Sequence, residues 1–331
     1  MSEQNISSRL PPTTNRGAEI TNAEAGIDWL EFSVTEADWN RIAERLTFDG
    51  GAWRELDHGA LGYAHCAVSD HEIDVMWDER RPEVHVRLTG KACSRLAEDV
   101  LLSVVGWVTS QGGGFSRIDV QATVPYTVAT VEQFGEAIER GEHVTRVHQA
   151  GLTRQLSLRR SEFDRLLGRT LYVGSPTSRR RLRVYDKGIE SGGLIEGTRV
   201  ELQERDEAAD ECARQLLGSE PLAVVFAGRL AGFIDFREHD GENVTRWRRS
   251  AWYERLIGEV GRARAVAPVE DTTPEQAEEW VRRQVSPTFA ALARLGMLDV
   301  GALLDEGRKR LNPKHQRWLR TARVKAERSE P

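Results

Sequence analysis

The sequence predicts an α+β fold: a central, largely antiparallel sheet with helices packed on one face, followed by a helical C-terminal region. Three observations carry this. Strand-like runs are separated by hairpin-length turns and by single helical segments. The stretch 168–204, GRTLYVGSPTSRRRLRVYDKGIESGGLIEGTRVELQE, holds two strand-like runs around a Ser- and Arg-rich loop, then a third carrying a glutamate. After Glu204 the pattern is helical to the end of the chain.

Taken in order, residues 1–25 are polar, with Pro11 and Pro12 and scattered Ser, Thr and Asn, and read as a disordered arm. Ile27–Val34 alternates as a first strand. Thr35 reads as the N-cap of a helix through Leu46, with Asp38 three residues on and Trp39, Ile42, Ala43 and Leu46 at helical spacing. Strands are expected around Tyr63–Val68, Ile73–Trp77 and Glu83–Leu88. A helix over Ala92–Ser110 presents Leu96, Val100, Val104 and Trp107. Three glycines, Gly112–Gly114, break it; no GK[ST] follows and a strand comes next, so this is not a phosphate loop. In the strand 115–124, Ile118, Val120 and Ala122 fall on one face, Arg117, Asp119 and Gln121 on the other. A helix over Val128–Arg140 precedes the 168–204 stretch. Helices follow at Arg205–Leu217, Glu275–Leu295 and Val300–Leu311, with an ambiguous apolar run at Pro221–Phe236, a Trp- and Arg-rich one at Asn243–Val260 and a linker at 265–274. The implied organisation is an arm (1–25), an α+β catalytic domain (26–204), a helical part (205–311) and a basic tail (312–331).

A chain of 331 residues can bury a sizeable core. Charged residues make up 30% of it and the net charge is −6, so nothing global marks a nucleic-acid binder. Any such surface must come from local clustering, and 146–183 is strongly basic while 201–211 is strongly acidic. Cys66, Cys93 and Cys212 are odd in number, far apart and in no CxxC spacing, which argues against disulfides or a zinc site and fits a reducing cytoplasm. There is no apolar leader and no run of 18 apolar residues, so a soluble, cytoplasmic protein is expected.

The candidate chemistry lies on the polar faces of the strands. By alternation Tyr172, Arg183, Tyr185, Arg199 and Glu201 share a face with Asp119 if the apolar faces pack on the same helices. A tyrosine hydroxyl attacking a phosphodiester needs a divalent metal or arginines to offset charge on the phosphoryl oxygens. Asp119 and Glu201 could hold Mg²⁺ or Mn²⁺, and Arg183 and Arg199 could clamp a phosphate. Arg179, Arg180 and Arg181 in the hairpin loop would add salt-sensitive phosphate contacts. The bland alternatives are a solvated sheet face with Arg, Glu and Tyr as cross-strand partners, and an exposed, soluble loop. Trp247, Arg248, Arg249, Trp252 and Tyr253 could stack on unpaired bases, but their spacing suits helix packing better.

FSRIDVQATV, TLYVGSPTSRRRLRVYDKG and TRVELQERDEAA, in that order, resemble the replication initiation factor (Rep_trans) family. IDWLEFSV, VRLTGKACSRL and WVRRQVSPTFAAL extend the likeness over residues 26–295. The resemblance implies rolling-circle replication initiation for a plasmid or phage, through a metal-dependent site-specific nick and a covalent 5′-phosphotyrosyl link that leaves a 3′-OH. It also implies a fold related to the HUH endonucleases without their two-histidine motif; the one near match here is Glu83-Val84-His85. Carried onto this sequence, Tyr185 is the nucleophile with Tyr172 as its rival. Asp119 and Glu201 are the Mg²⁺ or Mn²⁺ ligands, and Arg183 and Lys187 bind the scissile phosphate. Double-strand origin DNA and single-stranded DNA are the expected partners, with host helicase, DNA polymerase and a second copy of the chain as further candidates. A conjugative relaxase of a mobile element, or a non-catalytic origin-binding protein, are the alternative functions.

Overall fold

The computed structural model describes residues 18–19, 22–35, 38–48, 51–156, 166–241, 246–266, 273–311, 315–316 and 318–319. Most of the expected arm and of the basic tail lies outside these. The chain divides into two compact units: residues 1–27 with 115–266, and residues 28–114 with 267–331. This differs from the expected division at Glu204. The helix Glu207–Leu216 packs against the strand Thr198–Arg205, and residues up to 266 stay in the same unit as that strand. Part of the expected arm is also built in: Ala18–Glu19 pairs in parallel with Ile195–Glu196, and Ala23 and Ala25 are buried.

The 28–114 unit carries an antiparallel sheet in the order Trp53–Glu55, His65–Ser69, Ile73–Trp77, Glu83–Leu88, Glu24–Thr35. Its first helix starts later than expected. Asp38, not Thr35, is the N-cap of Trp39–Arg45, its carboxylate accepting from the Asn40 N–H at 3.0 Å. The expected Ala92–Ser110 helix is two helices, Gly90–Cys93 and Glu98–Ser110, the second burying Leu101, Val104, Val105 and Val108. The C-terminal helices of this unit are Pro274–Trp280, Ser286–Arg294 and Val300–Lys309, the first two joined through a π-helical turn at Val281–Val285.

The other unit holds an antiparallel sheet in the order Gly114–Val124, Thr198–Arg205, Arg180–Asp186, Leu166–Val173, Ala150–Leu156. One face is apolar: Val120, Leu202, Leu182 and Val173 form one row, and Ala122, Val200, Val184 and Leu171 the next. All eight are buried, as residues on the covered side of a pleated sheet must be. Val131–Glu139 and Glu207–Leu216 pack beside these strands. Leu222–Phe233, Ile234–Phe236 and Ala251–Gly261 complete the unit. Tyr253 and Trp247 belong to this core: the Tyr253 hydroxyl donates to the Ile234 carbonyl at 2.6 Å and the Trp247 indole to the Gly241 carbonyl at 2.8 Å. Among the described residues no helix is long and apolar enough to cross a membrane.

Candidate DNA-processing site

Residues directly opposite one another in an antiparallel ladder share a face, so register alone assembles the site. One row crosses four strands as Gln121, Glu201, Arg183 and Tyr172. Beside it run Thr123, Arg199, Tyr185 and Thr170, and on the other side Asp119, Gln203 and Arg181. The expected set of Asp119, Tyr172, Arg183, Tyr185, Arg199 and Glu201 therefore occupies one continuous polar face. Gln121, Thr123 and Gln203 join it without having been singled out; their alternation with buried apolar neighbours was the available signal.

Most of this face is packed. Asp119 is 1% exposed, Glu201 3%, Tyr185 4% and Arg199 8%, whereas Arg181, Arg183 and Tyr172 are only half-buried. Burial of so many polar groups is sustained by mutual pairing. Arg117 donates to Asp119 through Nε at 2.8 Å and again through Nη2, a two-point grip on the carboxylate. Arg183 Nη1 lies 3.6 Å from Glu201 Oε2. Arg199 donates its Nε to Thr123 Oγ1 at 2.9 Å, so the expected phosphate clamp is already engaged within the sheet. The face opens along Arg181, Arg183 and Tyr172, the side from which a polyanion can approach.

Two cations flank the Tyr185 ring. The Arg183 guanidinium lies 4.2 Å from its centroid and Lys187 Nζ 5.8 Å away. Lys187 opens the short helix Lys187–Glu190 and also meets Glu190 at 2.5 Å. Tyr172 carries one, the Arg181 guanidinium at 4.1 Å. The three loop arginines are divided among three surroundings. Arg179 is exposed beside Glu207, Arg180 turns to the opposite face beside the buried Glu204, and Arg181 covers Tyr172.

Sequence reasoning passed over Tyr126, whose hydroxyl donates to Asp186 Oδ1 at 2.6 Å. Asp186 in turn accepts from the Ile189 N–H at 2.9 Å and so caps the Lys187 helix. Gly188 makes room for this contact: a Cβ there would lie 2.5 Å from the Tyr126 hydroxyl. Burial and the Asp186 carboxylate push the Tyr126 phenol up from 10.0 to about 12. The folded protein therefore keeps a proton that the unfolded chain releases between these values. This group's contribution to stability is fully present below pH 10 and is lost as pH rises toward 12. Tyrosinate absorbance titration should resolve Tyr126 as a late-ionising group, and Asp186→Asn should bring it back toward the ordinary range. An unchanged titration in that variant would mean that the hydrogen bond does not hold the proton.

His85 belongs to the other unit. In the 28–114 unit its Nδ1 lies 3.0 Å from Ser33 Oγ, its ring stacks on Tyr63, and burial lowers its pKa. Among the described residues no three His, Cys, Asp or Glu side chains converge as a metal cluster. The donors at hand on the polar face are two carboxylates, Asp119 and Glu201, and the amides of Gln121 and Gln203. A set offering oxygen and no sulfur or imidazole suits a hard divalent cation.

The sequence profile of the replication initiation factor family matches residues 113–306, which contain every strand of this sheet and the whole polar face. The chain belongs to the replication initiation factor family. Along nearly its full length this family member is similar to a putative DNA relaxase, NicK, of Bacillus subtilis (strain 168). They are 24% identical over 348 residues, spanning 94% of this chain and 96% of the relative. Its fold is similar to that of the rolling circle replication initiator protein from Geobacillus stearothermophilus, with a TM-score of 0.66 at 22% identity over 75% of this chain and 100% of that one. The α+β architecture with its large antiparallel sheet is thus a fold shared with that initiator.

Proposed function

We propose that this initiation factor nicks one strand of origin DNA and rejoins it through Tyr185. The observation that carries the reading is the register placing Tyr185, Arg183, Glu201 and Asp119 on one sheet face, with Lys187 beside the phenol. The Tyr185 oxygen attacks the scissile phosphorus, forming the new O–P bond as the bond to the 3′ oxygen breaks. The phenol gives up its proton, and the departing 3′ oxygen takes one to become the 3′-OH. Arg183 and Lys187 stabilise the phenolate and the non-bridging oxygens, since a nearby cation favours the charged form of each. Attack by the 3′-OH on the phosphotyrosyl link reverses the step and reseals the strand. Asp119 and Glu201 are the residues that would hold Mg²⁺ or Mn²⁺, a bound cation of this kind supplying Lewis-acid polarisation of the phosphoryl group.

The test is incubation of the protein with a labelled single-stranded origin oligonucleotide, with Mg²⁺ or Mn²⁺ and with chelator, followed by a denaturing gel. A covalent adduct that needs the metal is expected; no adduct under either metal would overturn the reading. Glu201→Gln keeps the size of the side chain and removes its charge, and should slow adduct formation about 100-fold or more, the scale of a lost metal ligand in charge stabilisation. Full activity in Glu201→Gln would remove that residue from the metal site.

A second reading is supported by the end-to-end similarity to NicK: the same chemistry serving transfer of a mobile element as its relaxase. In either setting the 3′-OH and the displaced strand suit hand-over to a DNA polymerase and a helicase, in the compartment that holds the DNA. Nicking assays on origins of replication and of transfer separate the two.

A further inference from the structure

Away from Tyr185, a groove of about 1120 Å³ is formed by three segments, residues 144–149, the hairpin loop 175–180 and residues 231–237. Its walls are firmly built. Ile234–Phe236 pairs with His143–Thr145, and Thr145 Oγ1 donates to the Phe233 carbonyl at 2.9 Å. The Gly174 N–H donates to the Gln149 carbonyl at 2.9 Å, tying the hairpin to the opposite wall, and Ser178 Oγ accepts from the Ser175 N–H at 3.1 Å within the loop. The groove also lies apart from the Tyr185 face by the parity of the strand: Arg180 lines it, and Arg180 points opposite to Arg181, Arg183 and Tyr185.

On a chain of net charge −6 this groove is basic, lined by Arg146, Arg179, Arg180 and Arg237 with His148. Its one lining carboxylate, Asp235, is already held by Arg237 at 2.9 Å and by Arg249 at 2.6 Å. Arg146 is exposed and joins no ion pair among the described residues. The Arg179–Glu207 pair, at 3.2 Å between two exposed side chains, is screened by solvent, so exchanging it for a phosphate costs little.

We infer that this groove binds the phosphodiester backbone of duplex DNA, as a second contact separate from the strand being cut. The choice of DNA over another polyanion rests on the nicking reading above; the choice of duplex rests on the lining. Guanidiniums and hydroxyls spread over three segments suit successive phosphates. Single-strand channels add aromatic side chains on which bases stack; among the described residues no Trp or Tyr lines this groove, Phe233 is 8% exposed, and the one exposed ring is the His148 imidazole. The groove anchors the protein on the helix flanking the nick, without regard to sequence.

The experiment is fluorescence anisotropy in metal-free buffer with a random-sequence duplex and a single strand of equal length, over a salt series. Leaving out metal makes the outcome independent of whether the protein nicks, so the two readings fail separately. Arg146→Ala/Arg179→Ala should weaken duplex binding by about tenfold or more near 0.1 M salt and lower the slope of log K against log salt by about 2. Arg146→Lys/Arg179→Lys, which retains both charges, should keep most of the slope. Circular dichroism checks that the alanine variant is folded; Arg146→Glu alone, an exposed change, serves if it is not. The inference is overturned if the wild type does not bind the duplex, if its affinity and slope survive the alanine and glutamate changes, or if the loss is confined to the single strand.

Discussion

Tyr185→Phe should abolish covalent attachment to single-stranded origin DNA while leaving the fold and duplex binding in place. The variant keeps the ring on which the Arg183 guanidinium rests and beside which Lys187 lies, and removes only the oxygen that would form the bond to phosphorus. Loss of a nucleophile acts on the scale of about 10⁴-fold or more in rate, whereas the loss of one hydroxyl from a packed site costs on the order of 1 kcal/mol in stability. The two effects are therefore separable by a denaturing gel and a melting curve on the same protein. Tyr172→Phe is the paired control. Among the described residues its ring meets one cation where that of Tyr185 meets two. Tyr185 is the more enclosed of the pair, and the half-exposed Arg183 guanidinium lies over its ring. An adduct that survives in Tyr185→Phe and disappears in Tyr172→Phe would transfer the role to Tyr172.

The largest effect on stability is expected at Arg229. On the apolar side of the sheet Glu204 is 1% exposed, and Arg229 grips it through Nε at 2.8 Å and through Nη2. Arg229 also donates to Gln215 Oε1 at 2.9 Å and to the Ala208 carbonyl at 3.1 Å, tying the strand to the helix Glu207–Leu216. The enclosure is severe enough that burial, with the Glu204 charge beside it, pushes the Cys212 thiol up to about 12. Arg229→Ala would leave that carboxylate in an apolar setting with Arg180 as its remaining cation, at 3.6 Å. The expected cost is about 3–5 kcal/mol, the range for breaking a buried pair from one side. Urea unfolding should register it as a shift of the midpoint. Replacing both partners, as Arg229→Met with Glu204→Leu, should recover most of the loss, because the expense lies in an unmatched buried charge more than in the missing attraction. A double variant as unstable as the single one would show that the pair contributes through its hydrogen bonds to the helix.

The strands of the site sheet were legible in the sequence because alternation is a local property. In 115–124, 180–186 and 198–204 each residue's face follows from its parity, so Asp119, Arg183, Tyr185 and Glu201 could be assigned to polar faces before any pairing was known. Helix starts were less legible, since Thr35 and Asp38 are both competent caps and only the path of the chain decides between them. The sequence by itself thus determined the strand faces, the candidate tyrosines and their cations, and the family. The tertiary structure decided which strands lie side by side, and with that the rows that join Glu201 to Arg183 and Arg199 to Tyr185. It also decided that the polar face is packed through pairs such as Arg117 with Asp119, that Tyr126 holds Asp186, and that Arg180 leaves its two neighbours for a basic groove. The physical reason is range: side-chain direction along a strand is set by the nearest peptide units, while burial, ion pairing and groove shape depend on segments that only folding brings together.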